Sequence, residues 1–125
     1  MATHSVSIYP VSVKRIYADP SPDDGARILV DRLWPRGVSK ERAALTEWLK
    51  DVAPTPELRT WYAHDPAKFG EFASRYENEL SANEDQAAAY RSLLALARRG
   101  AVTLLTATKD PTISEAEVLR RLLTG

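Results

Sequence analysis

Apolar residues follow two different rhythms along this chain, and the rhythm changes after Gly37. Val11–Tyr17 is rich in β-branched and aromatic types, and Pro10 just ahead of it cannot donate to a sheet ladder, so a first strand is predicted over Val11–Tyr17. Asp19-Pro20-Ser21-Pro22-Asp23-Asp24-Gly25 is dense in turn formers. Arg27–Leu33 then carries the nearly continuous run Ile28-Leu29-Val30, as a strand covered on both faces would, and Pro35 and Gly37 end it. Beyond that point the spacing is helical. Ser39 can cap a helix bearing Leu45, Trp48, Leu49 and Val52, and Thr55-Pro56 opens a short one with Leu58, Trp61 and Tyr62. Asp65-Pro66 precedes Phe69, Phe72, Ala73, Tyr76 and Leu80. Ser81 and Glu84 have capping-box spacing ahead of Tyr90, Leu93, Leu94 and Ala97, with Gly100 as the stop. Val102–Ala107 reads as a third strand, and Ser114 with Glu117 repeats the box before Val118, Leu119, Leu122 and Leu123.

The fold class that follows is α/β: a single compact domain over residues 1–125, with a small, about three-stranded, largely parallel sheet covered by about five helices. No repeat, low-complexity tract or linker divides the chain, and its first five or so residues are expected to be mobile. The second and third strands are separated by about 68 residues of helical pattern, long enough for a right-handed parallel crossover. In open α/β sheets ligands gather at the carboxyl ends of the strands. Here those ends carry Asp31-Arg32-Leu33-Trp34-Pro35-Arg36-Gly37 and Thr108-Lys109-Asp110, the densest polar chemistry in the chain.

Composition narrows the functions. The 125 residues include no cysteine, which removes disulfides, thiolate nucleophiles, iron–sulfur clusters and thiolate zinc sites. Seventeen basic residues balance seventeen acidic ones, so a strongly basic nucleic-acid binder is disfavoured. No apolar run approaches the roughly 20 residues of a membrane span, and Met1-Ala2-Thr3-His4-Ser5 lacks a signal-peptide pattern, so a cytoplasmic protein without a membrane partner is expected. The balance is uneven locally. Between residues 27 and 42 five cations (Arg27, Arg32, Arg36, Lys40, Arg42) face two anions (Asp31, Glu41), an excess of three. Glu71, Glu77, Glu79, Glu84 and Asp85 are offset only by Arg75, and are read as a solvated face.

Arg32 and Arg36 offer planar forks for a carboxylate or phosphate, Lys40 a further cation, and Gly37 a backbone that can turn or approach a ligand closely. The competing reading pairs Arg32 or Arg36 with Asp31, Asp110 or a helix end, while Trp34 packs in the core. Lys109 can neutralise an anion and Asp110 can act as base or arginine orienter, and the helix behind Ser114 adds free N–H groups and a positive dipole end. His64 could serve as a general base, although Asp65 beside it is already explained as a cap. A metal site would have to be assembled from His64, Asp31, Asp65 or Asp110 without supporting spacing, so no metal is assigned and no cofactor is specified. Trp48, Trp61, Tyr62, Phe69, Phe72 and Tyr76 sit at helical spacing and read as core aromatics rather than a base-stacking platform.

The run Leu29-Val30-Asp31-Arg32-Leu33-Trp34-Pro35-Arg36-Gly37-Val38-Ser39-Lys40 resembles the YeaO-like branch of the uncharacterised bacterial proteins grouped as DUF 488. The likeness extends from about Val13 to Leu123. It takes in Asp24-Gly25, Trp48–Pro54, Leu58-Arg59, His64-Asp65-Pro66, Phe72, Arg75-Tyr76, Glu79-Leu80 and Lys109-Asp110. What the resemblance implies is a small α/β protein; it carries no reaction. Two positions depart from the family pattern: Thr106 where Tyr or a similar residue is usual, and Ser114 where Asn is common.

Together these features predict a site for an anionic, phosphate- or carboxylate-bearing small molecule, with turnover left open. Arg32, Trp34, Arg36, Gly37, Lys40, Lys109 and Ser114 would bind it, and Asp31, Asp110 and His64 are the candidates for acid–base work. The alternative is a non-catalytic module that contacts nucleic acid or a protein through the basic 27–42 segment. A third reading makes the signature a buried ion-pair network.

Overall fold

The computed structural model describes residues 8–125, so the expected mobility of the first five residues lies outside the described residues. Strand β1 (Val11–Arg15) leads through a turn into β2 (Ala26–Leu29), followed by a one-turn helix α1 (Lys40–Ala43) and a two-residue strand β3 (Glu47–Trp48). Helices α2 (Pro56–Tyr62), α3 (Phe69–Ala82) and α4 (Glu84–Ala97) form the long crossover to β4 (Val102–Thr106), and α5 (Glu115–Thr124) closes the chain. All pairings are parallel, in the order β1-β4-β2-β3. β4 lies between β1 and β2, with Val102 opposite both Val11 and Ala26, and every one of its residues is buried.

The continuous apolar runs are explained by two cores. Ile28, Val30 and Leu104 point to a large core with Leu58, Phe72, Tyr76, Leu93 and Leu119 of the helices. Leu29 and Leu105 point the other way, to a smaller core with Ile16, Val38 and Ala43. Strands covered on both faces need no polar alternation. Four of the helices therefore pack on one face, whereas α1 and the loop after β2 suffice for the other.

Several local expectations are corrected. The pattern Leu45, Trp48, Leu49, Val52 is not one helix. Ser39 does cap α1, accepting from Arg42 N at 3.0 Å, but Ala44 turns left-handed (φ 49°) and the chain enters β3. Leu45 and Trp48 join the small core while Leu49 and Val52 join the large one, a division between opposite faces of the sheet that a single helix stripe could not make. The Ser81 box is also absent: the Ser81 hydroxyl donates back to Asn78 O (3.1 Å) inside α3, and Asn83 occupies the cap of α4. Gly100 is not the stop, because α4 ends at Ala97 with Arg98 as its cap in right-handed conformation. Thr55 holds the predicted role, accepting from Leu58 N at 3.2 Å.

Asp24 just ahead of β2, Arg27 in β2 and Lys14 in β1 tie the two strands to the turn between them. Asp24 and Arg27 are each 5% exposed and pair at 2.5 Å, and Lys14 reaches Asp24 at 3.0 Å. The Arg27 guanidinium also donates to Ala43 O at 2.8 Å, which fixes the end of α1. Burial pushes the Asp24 carboxyl up, but donors from Ser21, Lys14 and Arg27 outweigh it and hold the group below its ordinary value. Gly25 beside it has φ 65°, and a Cβ there would lie 2.2 Å from Ala101 O. Arg27→Ala, which leaves Asp24 buried with one cation fewer, is expected to cost about 3–5 kcal/mol in urea unfolding at neutral pH. A loss below about 1 kcal/mol would show that the pair is dispensable.

Candidate functional site

The parallel strands bring their carboxyl ends to one edge of the sheet, and a cleft of about 600 Å³ opens there. Asp31 organises it. Backbone pairing of β2 with β4 continues one residue past the strand, Val30 N donating to Leu105 O at 3.1 Å. The Asp31 side chain then spans the gap, its two oxygens accepting from Thr106 Oγ1 (2.8 Å) and Ala107 N (2.7 Å). From the β3 side, Trp48 Nε1 donates to Asp31 O at 2.7 Å. Three strand ends are thereby joined at one residue.

The loop that follows is braced by aromatics. Trp34 Nε1 donates to Val38 O (2.7 Å), and the Trp34 and Trp48 rings meet edge to face at 5.4 Å. Tyr17 from the end of β1 donates to Arg36 O at 3.1 Å. On the other side of the cleft, Tyr62 stacks on Phe72 at 4.1 Å and donates to Ile113 O at 2.6 Å, joining α2 and α3 to the turn before α5. Tyr62 and Phe72 are thus core aromatics, as their spacing predicts, that also line the cleft.

Against Asp31 lies Glu115, the first residue of α5. Burial, a hydrogen bond with Asp31 and the charge of Asp31 together raise the Glu115 carboxyl well above its usual range, opposed in part by Arg59. Both Asp31 oxygens already accept from β4, and Glu115 is the carboxyl whose protonated form the site favours. Arg32, Arg36, Arg59 and Lys109 line the same cleft, and among the described residues none of them has an ion-pair partner. Arg32 is half-buried, and its Nε is buried without a hydrogen-bond partner. The same residue borders a smaller acidic depression with Asp51, Glu84 and Asp85. Asp31, Arg32, Glu115, Tyr62 and Phe72 form the inner part of the cleft, and Arg36, Arg59, His64, Lys109, Tyr17 and Leu33 its exposed rim.

The structure brings together Asp31, Arg32, Trp34, Arg36, His64, Lys109 and Ser114. Gly37, Lys40 and Asp110 are not in the lining. Gly37 provides a left-handed turn (φ 78°) with nothing close to it, and Lys40 is exposed on α1. Asp110 caps the turn at Pro111–Ile113, accepting from Thr112 N at 3.1 Å. Ser114 sits at the cap position of α5, but its hydroxyl donates to Pro111 O (2.8 Å) and Glu117 binds Arg120 and Arg121, so the predicted box is not formed. His64 is exposed in left-handed conformation (φ 55°), which His adopts more readily than most residues. Among the described residues no group of three or more His, Asp or Glu could hold a metal ion.

The basic segment is broken up in three dimensions. Arg27 is buried with Asp24, and Arg42 reaches Asp19 at 3.0 Å. The acidic stretch is not all solvated either, since Glu79 accepts from Thr55 Oγ1 (2.6 Å) and Gln86 Nε2 (3.0 Å). Glu115 and Arg59 are the site residues that sequence reasoning missed. Their signal was weak: Glu115 follows a cap residue, where acids are common for dipole reasons alone.

The domain is therefore a small α/β unit with a polar cleft at the carboxyl edge of a parallel sheet, and no helix among the described residues is long and apolar enough to cross a membrane. The chain belongs to the DUF488 family: the family model described as "Inactive DUF488-N3 subclade" matches residues 10–125. It is 50% identical over 115 residues to the uncharacterized protein Rv3073c of Mycobacterium tuberculosis (strain ATCC 25618 / H37Rv), covering 92% of this chain and 94% of that one. The uncharacterized protein Mb3100c of Mycobacterium bovis matches to the same extent. The uncharacterized protein YeaO of Escherichia coli (strain K12) is 38% identical over 109 residues, covering 87% of this chain and 92% of YeaO. No solved structure matches.

The carboxyl pair has a consequence for stability. An unfolded Glu115 loses its proton as pH rises through about 4.5, while the folded one retains it to higher pH. Folding then takes up a proton, and stability falls with rising pH above that point by up to about 1.4 kcal/mol per pH unit until the folded group also ionises. Glu115→Gln is expected to remove this slope, so that the variant gains on the native chain at pH 8 more than at pH 5 in urea unfolding. An equal difference at both pH values would place the proton elsewhere.

Proposed function

We propose that the cleft binds an anionic small molecule bearing a phosphate or carboxylate. The observation that carries this reading is the set of four cations, Arg32, Arg36, Arg59 and Lys109, gathered on one cleft with none of them in an ion pair among the described residues. Elsewhere Arg27, Arg42, Arg75, Arg120 and Arg121 each rest on a carboxylate and Arg15 on the carbonyls of Ala107 and Thr108, whereas Arg91, Arg98 and Arg99 form no ion pair among the described residues. Guanidinium forks left open, one half-buried at Arg32 and two on the rim at Arg36 and Arg59, suit a planar or tetrahedral oxyanion. The cleft volume lies within the range of small-molecule sites, about 300–1,000 Å³, and its aromatic walls suit an organic body behind the anion. The family's description as an inactive subclade favours capture of the ligand over turnover. The nucleic-acid alternative has less support, because Arg27 is buried against Asp24 while Arg32 and Arg36 line a concave cleft.

The test is a titration of the protein with inorganic phosphate, phenyl phosphate and benzoate, followed by amide chemical shifts. Binding is expected to move the amides of residues 31–37, 107–109 and 115. Arg32→Ala and Arg36→Ala are expected to weaken it by about tenfold or more each, the weight of one lost charged hydrogen bond. Both variants should keep the native melting temperature within a few degrees, since neither residue supports an ion pair. Absence of saturable shifts with every anion at low salt would overturn the proposal.

A further inference from the structure

The cleft contains more than cations, and its second component restricts what the anion can be attached to. Asp31 and Glu115 stand together on the inner side, where burial and the Asp31 charge favour the protonated form of Glu115. Thr106 and Ala107 hold Asp31 in place, so it cannot rotate away from a ligand. A bare oxyanion moved inward meets this charge and is repelled. A ligand ammonium drawn into the cleft passes Arg59 on the rim, whose charge already acts on Glu115, and then meets the half-buried Arg32. A neutral hydrogen-bond donor satisfies both constraints. A carboxylate offers about four lone-pair positions, and Asp31 spends three of them on Thr106, Ala107 and Glu115. The remaining position on Asp31 and the unprotonated oxygen of Glu115 are acceptors that a ligand hydroxyl can use.

Resting on the anion-binding reading above, we infer that the ligand is a phosphorylated polyol or sugar, its phosphate held by Arg32, Arg36 and Lys109 and its hydroxyls by the Asp31–Glu115 pair. The two halves of the site impose opposite requirements, and one molecule must satisfy both. Inorganic phosphate answers only the first, and fills a small part of the cleft. A hydroxylated carbon chain answers the second and lies between the aromatic walls of Trp34 and Tyr62.

Ribose 5-phosphate and glycerol 3-phosphate are the probes, compared by calorimetry at pH 7 with inorganic phosphate, phenyl phosphate and phosphoethanolamine on the full chain. Both hydroxylated phosphates should bind at least tenfold more tightly than the other three. Glu115→Ala should abolish that advantage while leaving inorganic phosphate within about threefold of its native affinity. Glu115→Gln, which keeps a donor toward Asp31 and an acceptor toward the ligand, should retain most of the advantage and serves as the folded control. Equal affinity for inorganic phosphate and the hydroxylated phosphates would overturn this inference and leave the anion site standing. Tighter binding of phosphoethanolamine would also overturn it, assigning the inner position to an ammonium. Failure of all five probes would remove the anion site and this inference together.

Discussion

The hydrogen bonds from Thr106 and Ala107 to the Asp31 carboxylate are the constraint on which the cleft depends. Parallel strands that end at the same level leave backbone donors and acceptors without partners, and here a side chain of one strand takes up those of its neighbour. With Trp48 donating to its carbonyl, Asp31 sets the relative position of β2, β3 and β4 at the edge where their chains separate. The loop carrying Arg32, Trp34 and Arg36 starts from that fixed point. Its far end is held by the Trp34–Val38 bond and by the packing of Val38 in the small core. The arginines project from a loop braced at both ends, which limits the entropy a ligand has to remove on binding.

Charge is sorted by place rather than by number. Between β1 and β2, Asp24 and Arg27 form a buried pair that the partly exposed Lys14 joins from β1. At the carboxyl ends the cations are left open and the acids are paired with each other. A net charge of zero over the chain is compatible with both arrangements. Only burial distinguishes an arginine that supports the fold, such as Arg27, from one available to a ligand, such as Arg36. The buried pair is sensitive to truncation because each partner would be left charged in a poorly solvated place. The open arginines carry no such liability.

The strand ends were legible because turn formers and continuous apolar runs mark them whatever the tertiary context. Asp31, Arg32 and Arg36 followed from position alone. β3 was not legible: with two residues it has no period, and the apolar residues around it serve two cores at once. Glu115 was hidden for a different reason. Ser114 and Glu117 have the spacing of a capping box, which draws attention past the residue between them, and the contact that gives Glu115 its character comes from a residue 84 positions earlier. Arg27 was misassigned to a basic surface because a sum of charges along the sequence does not register burial.

The cleft also gathers several features that are uncommon in the rest of the fold. Arg32 Nε is the buried side-chain atom without a partner among the described residues, two carboxyls face one another, and Ala63 and His64 adopt left-handed backbone at the adjoining helix end. Each of these costs free energy, of order 1–3 kcal/mol for strained or unsatisfied groups. Over the described residues the buried core is otherwise conventional in its packing and pairing. A chain free to relieve these costs separately could replace Arg32 with an apolar residue or Glu115 with glutamine without disturbing either core. Their concentration on one concave surface fits the proposed binding site: an anion would satisfy the orphaned guanidinium, and a hydroxyl would use the acceptors the carboxyl pair leaves open. The same groups that weaken the empty fold would then strengthen the occupied one.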